Sequence, residues 1–388
     1  MKNFFAAVPF VICLVTSCVS RTMDHKDQLQ GKKIFTSLDA SFVLDTILAE
    51  IKIPYSMDWL PDGIAIISDR SKQENGMMLL NSKTGKTSSL CNVPVVYLQG
   101  GGGILDILVH PDYKQNGWIY FSYSIMKPDS TSTLVIDRAK LMDTCLVQNE
   151  RLFEVKPYYK SDAGHFGNRL LLKDGFLFIT MGDRYYARDS AQTLSNHLGK
   201  ILRIREDGKI PADNPFVNNP GALPEIWSYG HRNPQGMAFN PVNGELWVNE
   251  HGPKGGDEIN IIKPGLNYGW PVICYGIDYD GKPIGEGITE MKGMEQPHYY
   301  YVPSIAPCGM MFYTGDQFPG WKNNVFIGAM ALQHINRLVL FENRVVKEER
   351  LLEEQKRRIR FINQGPDGYV YIGVDGGMIV RIRPANTL

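Results

Sequence analysis

The stretch LKDGFLFITMGD, Leu172 to Asp183, decides how the chain is read. A Lys-Asp-Gly turn opens it, an apolar run of Phe, Leu, Ile, Thr and Met follows, and Gly-Asp breaks it. Asp and Gly tolerate the backbone angles of a tight reversal, and β-branched and aromatic residues suit a pleated surface. The same order recurs five more times: LPDGIAIISD (Leu60 to Asp69), HPDYKQNGWIYFSYS (His110 to Ser124), NPVNGELWVNEHG (Asn240 to Gly252), FPGWKNNVFIGAM (Phe318 to Met330) and GPDGYVYIGVDGG (Gly365 to Gly377). The turns return at loose intervals of roughly 45–80 residues, few stretches have helical period, and no Pro/Ser-rich linker divides the chain. This pattern predicts an all-β fold, a six-bladed β-propeller of four-stranded antiparallel blades. An array of two or three β-sandwich domains is the competing arrangement. In a propeller, loops from every blade meet at a central channel, so functional residues should be scattered along the chain near strand ends.

Composition narrows the function. The 388 residues carry 41 basic and 41 acidic side chains. That balance argues against a general nucleic-acid binder, which needs clustered excess Lys and Arg. No internal run of about 18 apolar residues exists, which argues against a multi-pass membrane protein.

The N-terminus reads as an address. Lys2 precedes an apolar run, Phe4 to Val15, interrupted by Pro9, which fits a secretory signal. It ends Val15-Thr16-Ser17-Cys18, similar to the lipobox of bacterial lipoproteins, in which the Cys becomes the lipidated first residue. The expectation is a signal peptide over residues 1–17, a polar tether over 18–35 and a propeller over 36–388. The implied location is the bacterial cell envelope, facing the periplasm or the cell surface, with the membrane reached only through a lipid on Cys18. Beyond Cys13 and Cys18, the four cysteines Cys91, Cys145, Cys274 and Cys308 show no CxxC spacing, so a zinc site is not expected. Scattered cysteines in a large chain are mostly small buried groups, and no pairing is expected.

Three segments concentrate chemistry. HFGNRLLLKDGFLFITMGDR (His165 to Arg184) offers His165, a proton acceptor near neutral pH, and Asp183, which could orient it. In isolation, a single His such as His165 is more often a surface or satisfied core residue. EIWSYGHRNPQGMAFNP (Glu225 to Pro241) places Arg232, a fixed fork of donors for an oxyanion or carboxylate, among turn residues; a salt-bridged loop is the plain alternative. NEHGPKGGDEINIIKPGLNYGWP (Asn249 to Pro271) leaves main-chain carbonyls free for a cation, with Asp257 and Glu258 as carboxylates. A Gly-rich connection with a solvated acidic pair is the plain alternative. LQGGGGILD (Leu98 to Asp106) lacks the ending of a phosphate loop. In KRRIRF (Lys356 to Phe361), Arg358 and Arg360 point to one side of a strand-like stretch, a costly pair unless an anion sits there.

Taken together, these segments resemble the soluble pyrroloquinoline quinone (PQQ)-dependent glucose/aldose sugar dehydrogenase family, over roughly Ile51 to Pro384. GHRNPQGMAF, GPKGGDEINIIKPGLNYGWP, LGKILRIREDGKIPADNPF (Leu198 to Phe216) and PSIAPCGMMFY (Pro303 to Tyr313) carry it. The resemblance implies a six-bladed propeller that oxidises an aldose at C1 to the lactone, with PQQ and Ca²⁺ as cofactors and a downstream electron acceptor. It implies His165 as general base supported by Asp183, and Arg232 facing the reactive quinone carbonyl. Asn233, Ser304, Arg358 and Arg360 would contact the cofactor. The carbonyls of Gly252 and Pro253 would bind its calcium, and Glu258 and Tyr268 a second, structural calcium. Gly101, Gly164 and Ala331 stand where the family pattern has Gln, Asp and Lys. Two other functions fit a propeller with such a channel: a non-catalytic calcium-binding module for a glycan or protein partner, and a calcium-dependent lactonase-type hydrolase.

Overall fold

The computed structural model describes residues 1, 33–160 and 162–385. The expected signal peptide, with Cys13 and Cys18, lies outside the described residues. Six antiparallel sheets follow one another along the chain. Blade 1 orders Pro54–Trp59, Ile64–Asp69, Met77–Asn81 and Thr87–Ser89. Blade 2 orders Ile104–Val109, Trp118–Met126, Thr131–Met142 and Cys145–Glu154, and blade 3 Leu170–Lys173, Phe176–Met181, Lys200–Arg205 and Ile226–Tyr229. Blade 4 orders Pro234–Phe239, Leu246–Glu250, Asp257–Ile262 and Tyr299–Tyr301, and blade 5 Pro307–Phe312, Val325–Ala329, His334–Phe341 and Arg344–Leu351. Blade 6 joins Ile359–Gln364, Val370–Val374 and Met378–Pro384 to an outer strand from the other end of the chain, Ser41–Ala49. The first strands of consecutive blades touch in sequence, and that of blade 6 returns to that of blade 1, so the ring is closed.

Each repeated sequence segment forms the first turn and second strand of one blade. These strands are apolar on both faces rather than on alternate positions. In Phe176–Met181, Leu177, Ile179 and Met181 pack toward blade 2, while Phe178 packs toward blade 4. A blade lies between two neighbours, so the period of two sorts side chains between two dry interfaces, not between core and water. The core is accordingly a set of layers between adjacent blades, such as Ile66 with Phe121 and Ile119, or Trp247 with Phe312 and Val325.

One expectation fails. Cys91 and Cys145, 54 residues apart, form a disulfide. Cys91 follows the last strand of blade 1, and its backbone pairs with Thr144 and Leu146 at the outer strand of blade 2. The outer edges of two blades meet there, a juxtaposition that sequence spacing does not encode. Cys274 and Cys308 are free and buried, as expected.

Candidate active site

The first strands of all blades run the same way along the channel, so their beginnings gather at one mouth and their ends at the other. At the first mouth a cavity of about 120 Å³ is lined by Tyr55, Arg70, Gly101, His165, Asn233, Gln235, His251 and Arg360, among others. The structure thus brings His165, Asn233 and Arg360 together from blades 3, 4 and 6.

His165 sits in the loop before blade 3 at φ 53°, close to Asn168 at 82° and to Arg184 and Tyr185 at 56° and 63°. Such left-handed non-glycine residues cost energy and tend to collect at functional sites. Its Nδ1 lies 2.7 Å from Asp183 Oδ1. Asp183 accepts further bonds from the Tyr185 N–H and from Trp270 Nε1, both at 2.8 Å. Burial alone would raise the Asp183 carboxyl, but the His165 hydrogen bond and the nearby cations hold it below its usual value. Burial also lowers His165, against the pull of Asp183 and with a push from Arg232. The result is a neutral imidazole whose Nδ1–H faces a carboxylate, which leaves Nε2 with a free lone pair.

Arg184, fully buried, fixes this loop. Its guanidinium donates to the carbonyls of Gly164 (3.2 Å), Ala163 (2.9 Å) and Ser132 (3.1 Å) and lies 3.9 Å over the Phe166 ring. Burial, only partly offset by Tyr159 and Asp162, pushes it down to about 10.

Arg232 projects from the start of blade 4 beside the Trp270 ring, 5.2 Å away. Its Nη1 donates to the carbonyls of His251 at 3.0 Å and Gly252 at 2.8 Å. With Pro253, Trp270, Tyr185 and Tyr186 it lines a neighbouring cavity of about 180 Å³. A Cβ on Gly252 would lie 2.3 Å from the Gly255 carbonyl oxygen, so only glycine permits this turn. The Gly252 carbonyl keeps a second lone pair beside its Arg232 bond, so this turn suits a cation that accepts main-chain oxygens.

Asp257 was expected to offer a carboxylate to a metal. Instead it accepts the N–H groups of Gly252 (2.9 Å), Ile305 (2.7 Å) and Ala306 (2.9 Å) and the Ser304 hydroxyl (2.7 Å). These donors consume its lone pairs, and its work is to tie the Gly252 turn to the loop before blade 5. Ser304 is thereby turned toward Asp257, and it lines neither cavity.

Glu258 differs. Burial first, then repulsion from Glu250, raises it to about 8. Its neighbour Asn260 donates to both carboxylates, at 3.0 Å to Glu258 and 3.1 Å to Glu250, while its Oδ1 is buried without a partner. Two crowded carboxylates and an orphaned amide oxygen are groups a bound cation would relieve. Tyr268 packs on His231 at 4.8 Å, and its hydroxyl is engaged by the Ile261 carbonyl and the Lys263 N–H, so only its main chain is open to a cation. Among the described residues no cluster of three or more His, Cys, Asp or Glu forms a metal site, so a cation here would need main-chain or amide oxygens beside the carboxylates.

Arg358 and Arg360 share an anion already present. Asp375 accepts Arg360 Nε at 3.0 Å and Nη2 at 2.5 Å, and lies 3.5 Å from Arg358 Nε. The like-charge argument therefore does not by itself require a ligand. Arg360 is buried and faces the cavity, whereas Arg358 precedes the strand, is about half exposed at 46%, and lines neither cavity.

Sequence reasoning missed several members. Tyr55, Arg70, His251 and Trp270 lie at this mouth, and Arg169 sits at the centre of the ring. Arg169, in blade 3, donates to the carbonyls of Tyr55 (3.2 Å), Gln235 (2.7 Å) and Arg360 (3.2 Å), to Asp106 (3.1 Å) and toward Cys308 Sγ (3.7 Å). It thus touches every other blade. His251 Nε2 donates to the Pro307 carbonyl at 2.8 Å, and burial, then the charge of Arg232, pushes it down to about 3.

Residues 51–381 match the family model described as Glucose / Sorbosone dehydrogenase. The aldose sugar dehydrogenase YliI of Escherichia coli is 38% identical over 355 residues, covering 89% of this chain and 94% of that protein. The crystal structure of the soluble aldose sugar dehydrogenase from Escherichia coli superposes with a TM-score of 0.83 at 36% identity, covering 88% of this chain and 99% of that one. Quinoprotein glucose dehydrogenase B of Acinetobacter calcoaceticus is 31% identical over 259 residues, covering 60% of this chain and 53% of that protein.

Proposed function

The chain belongs to the glucose/sorbosone dehydrogenase family, and on that premise we propose that it oxidises an aldose at C1 to the lactone, with PQQ and Ca²⁺ as cofactors. The observation that carries the reading is His165, backed by Asp183, in one cavity with Arg360 and Asn233, with Arg232 at the neighbouring one. The quinone, when bound, supplies the hydride acceptor that no side chain provides. His165 takes the proton of the C1 hydroxyl on Nε2, while Asp183 holds Nδ1–H and steadies the imidazolium that forms. Trp270 and the Tyr185 N–H keep Asp183 in place. The Arg232 guanidinium would stabilise negative charge on a bound acceptor.

Asn233, Arg360 and, from the rim, Arg358 would hold the cofactor. Ser304 acts through Asp257 on the Gly252 turn. The carbonyls of Gly252 and Pro253 would hold the calcium at the cofactor. Glu258 and the Tyr268 main chain would hold a second. The Cys91–Cys145 disulfide supports an oxidising compartment, in keeping with a cell-envelope protein anchored through Cys18 that passes electrons to a further acceptor.

Reconstitution tests the reading. Adding PQQ and Ca²⁺ should produce aldose-dependent dye reduction and a lactone. Ester hydrolysis without quinone, or calcium binding with no quinone binding, would replace it with the hydrolase or the binding module.

A further inference from the structure

We propose that Arg70 binds the cofactor, taking a carboxylate of the polyanionic quinone beside Arg360 in a two-arginine cradle built by blades 1 and 6. The inference rests on the quinone reading above. Arg70 directly follows the second strand of blade 1, Ile64–Asp69, and lines the cavity that holds His165, Asn233 and Arg360. The guanidinium carbons of Arg70 and Arg360 lie 5.5 and 5.9 Å from the Tyr55 ring, so one aromatic side chain orients both.

Arg70 differs from the other arginines of the channel in what it lacks. Arg169 is paired with Asp106, and Arg360 with Asp375. Among the described residues Arg70 has no carboxylate within ion-pair distance, and its one side-chain hydrogen bond is a long one, 3.4 Å from Nη1 to the Gly101 carbonyl. Five donors in a fixed fork are thus nearly all unserved by protein. Burial and the charge of Arg360 both work against its protonated form, a cost that an anion between the two guanidiniums would reverse. Access is open as well. Gly101 stands at φ +84°, and a Cβ there would meet only Arg70 Nη1, at 3.7 Å. No side chain at Gly101 screens the guanidinium from the cavity. A ligand suited to this place is planar with several carboxylates, since an Arg fork binds carboxylate in two parallel bonds.

The test is an equilibrium titration of calcium-loaded protein with PQQ, followed by absorbance or fluorescence and independent of turnover. Arg70→Gln should weaken binding about tenfold to a hundredfold, the range for a hydrogen bond to a charged group. Arg70→Lys, which keeps the charge but not the fork, should fall between. The trimethyl ester of PQQ, stripped of its carboxylate charges, should bind the wild type and Arg70→Gln equally. Equal PQQ affinity in wild type and Arg70→Gln, with an unchanged melting temperature, overturns the role of Arg70 alone. Failure of the wild type to bind PQQ overturns the quinone reading, and this inference falls with it.

Discussion

The two mouths of the channel are built by the same strands yet differ in kind. The ends of the first strands surround a cavity of about 410 Å³ lined by Met57, Met237, Met310, Met311, Phe312 and Phe361. The beginnings surround the smaller cavity of about 120 Å³ with His165, Asn233, His251, Arg70 and Arg360. At the wide mouth the charged residues are few and spoken for. Asp106 pairs with Arg169, and Asp58 accepts the Val109 and Trp59 N–H groups while burial raises it to about 7. At the narrow mouth, donors and an imidazole lone pair are left facing open space. Volume therefore does not locate the chemistry here; unspent polar groups do.

Substitutions can break or sharpen this contrast. The largest effect belongs to His165→Ala, which should slow aldose-dependent dye reduction by about 10²–10⁴-fold with PQQ affinity kept, as loss of a general base does. Next is Arg169→Met between the mouths. It strands the buried Asp106 carboxylate and should lower unfolding stability by about 3–5 kcal/mol in denaturant titration. Arg232→Ala should reduce turnover by about 10²–10³-fold in steady-state kinetics with PQQ bound, the scale of one lost electrostatic donor.

A smaller effect is the response to pH. Because the His165 value is lowered, the rate should hold from pH 8 to below the usual histidine value of 6.5 and then fall as the imidazole protonates. Asp183 raises that value, so Asp183→Asn should move the inflection to lower pH in kcat/KM profiles. The smallest effect is at the wide mouth. Met310→Leu should cost less than about 1.5 kcal/mol in thermal unfolding and leave dye reduction unchanged. A large rate loss from that substitution would erase the distinction between the two ends.

The fold was legible because one strand per blade repeats a turn and an apolar run. Leu170–Lys173, with four residues, or Thr87–Ser89, with three exposed ones, carry no comparable pattern, and their pairing follows from the strands beside them. His165 and Asp183 were legible because they bracket a hairpin and face each other across it. Arg70, Arg169 and Trp270 were not, since each acquires its meaning from partners in other blades. The Trp270–Asp183 bond spans 87 positions, and the bond from Arg169 to the Arg360 carbonyl spans 191. Charge pattern also left a partner hidden: Asp375 lies beside Arg358 and Arg360, so the pair does not by itself demand a ligand.

The seam in blade 6 has a temporal consequence. Ser41–Ala49 pairs with the short Phe35–Thr36 on one edge and with Met378–Pro384 on the other, so the ring stays unsealed until the chain has been made through residue 384. Arg169 waits on the same event for its bond to Arg360. Closure of the ring is therefore tied, by topology, to completion of the last blade.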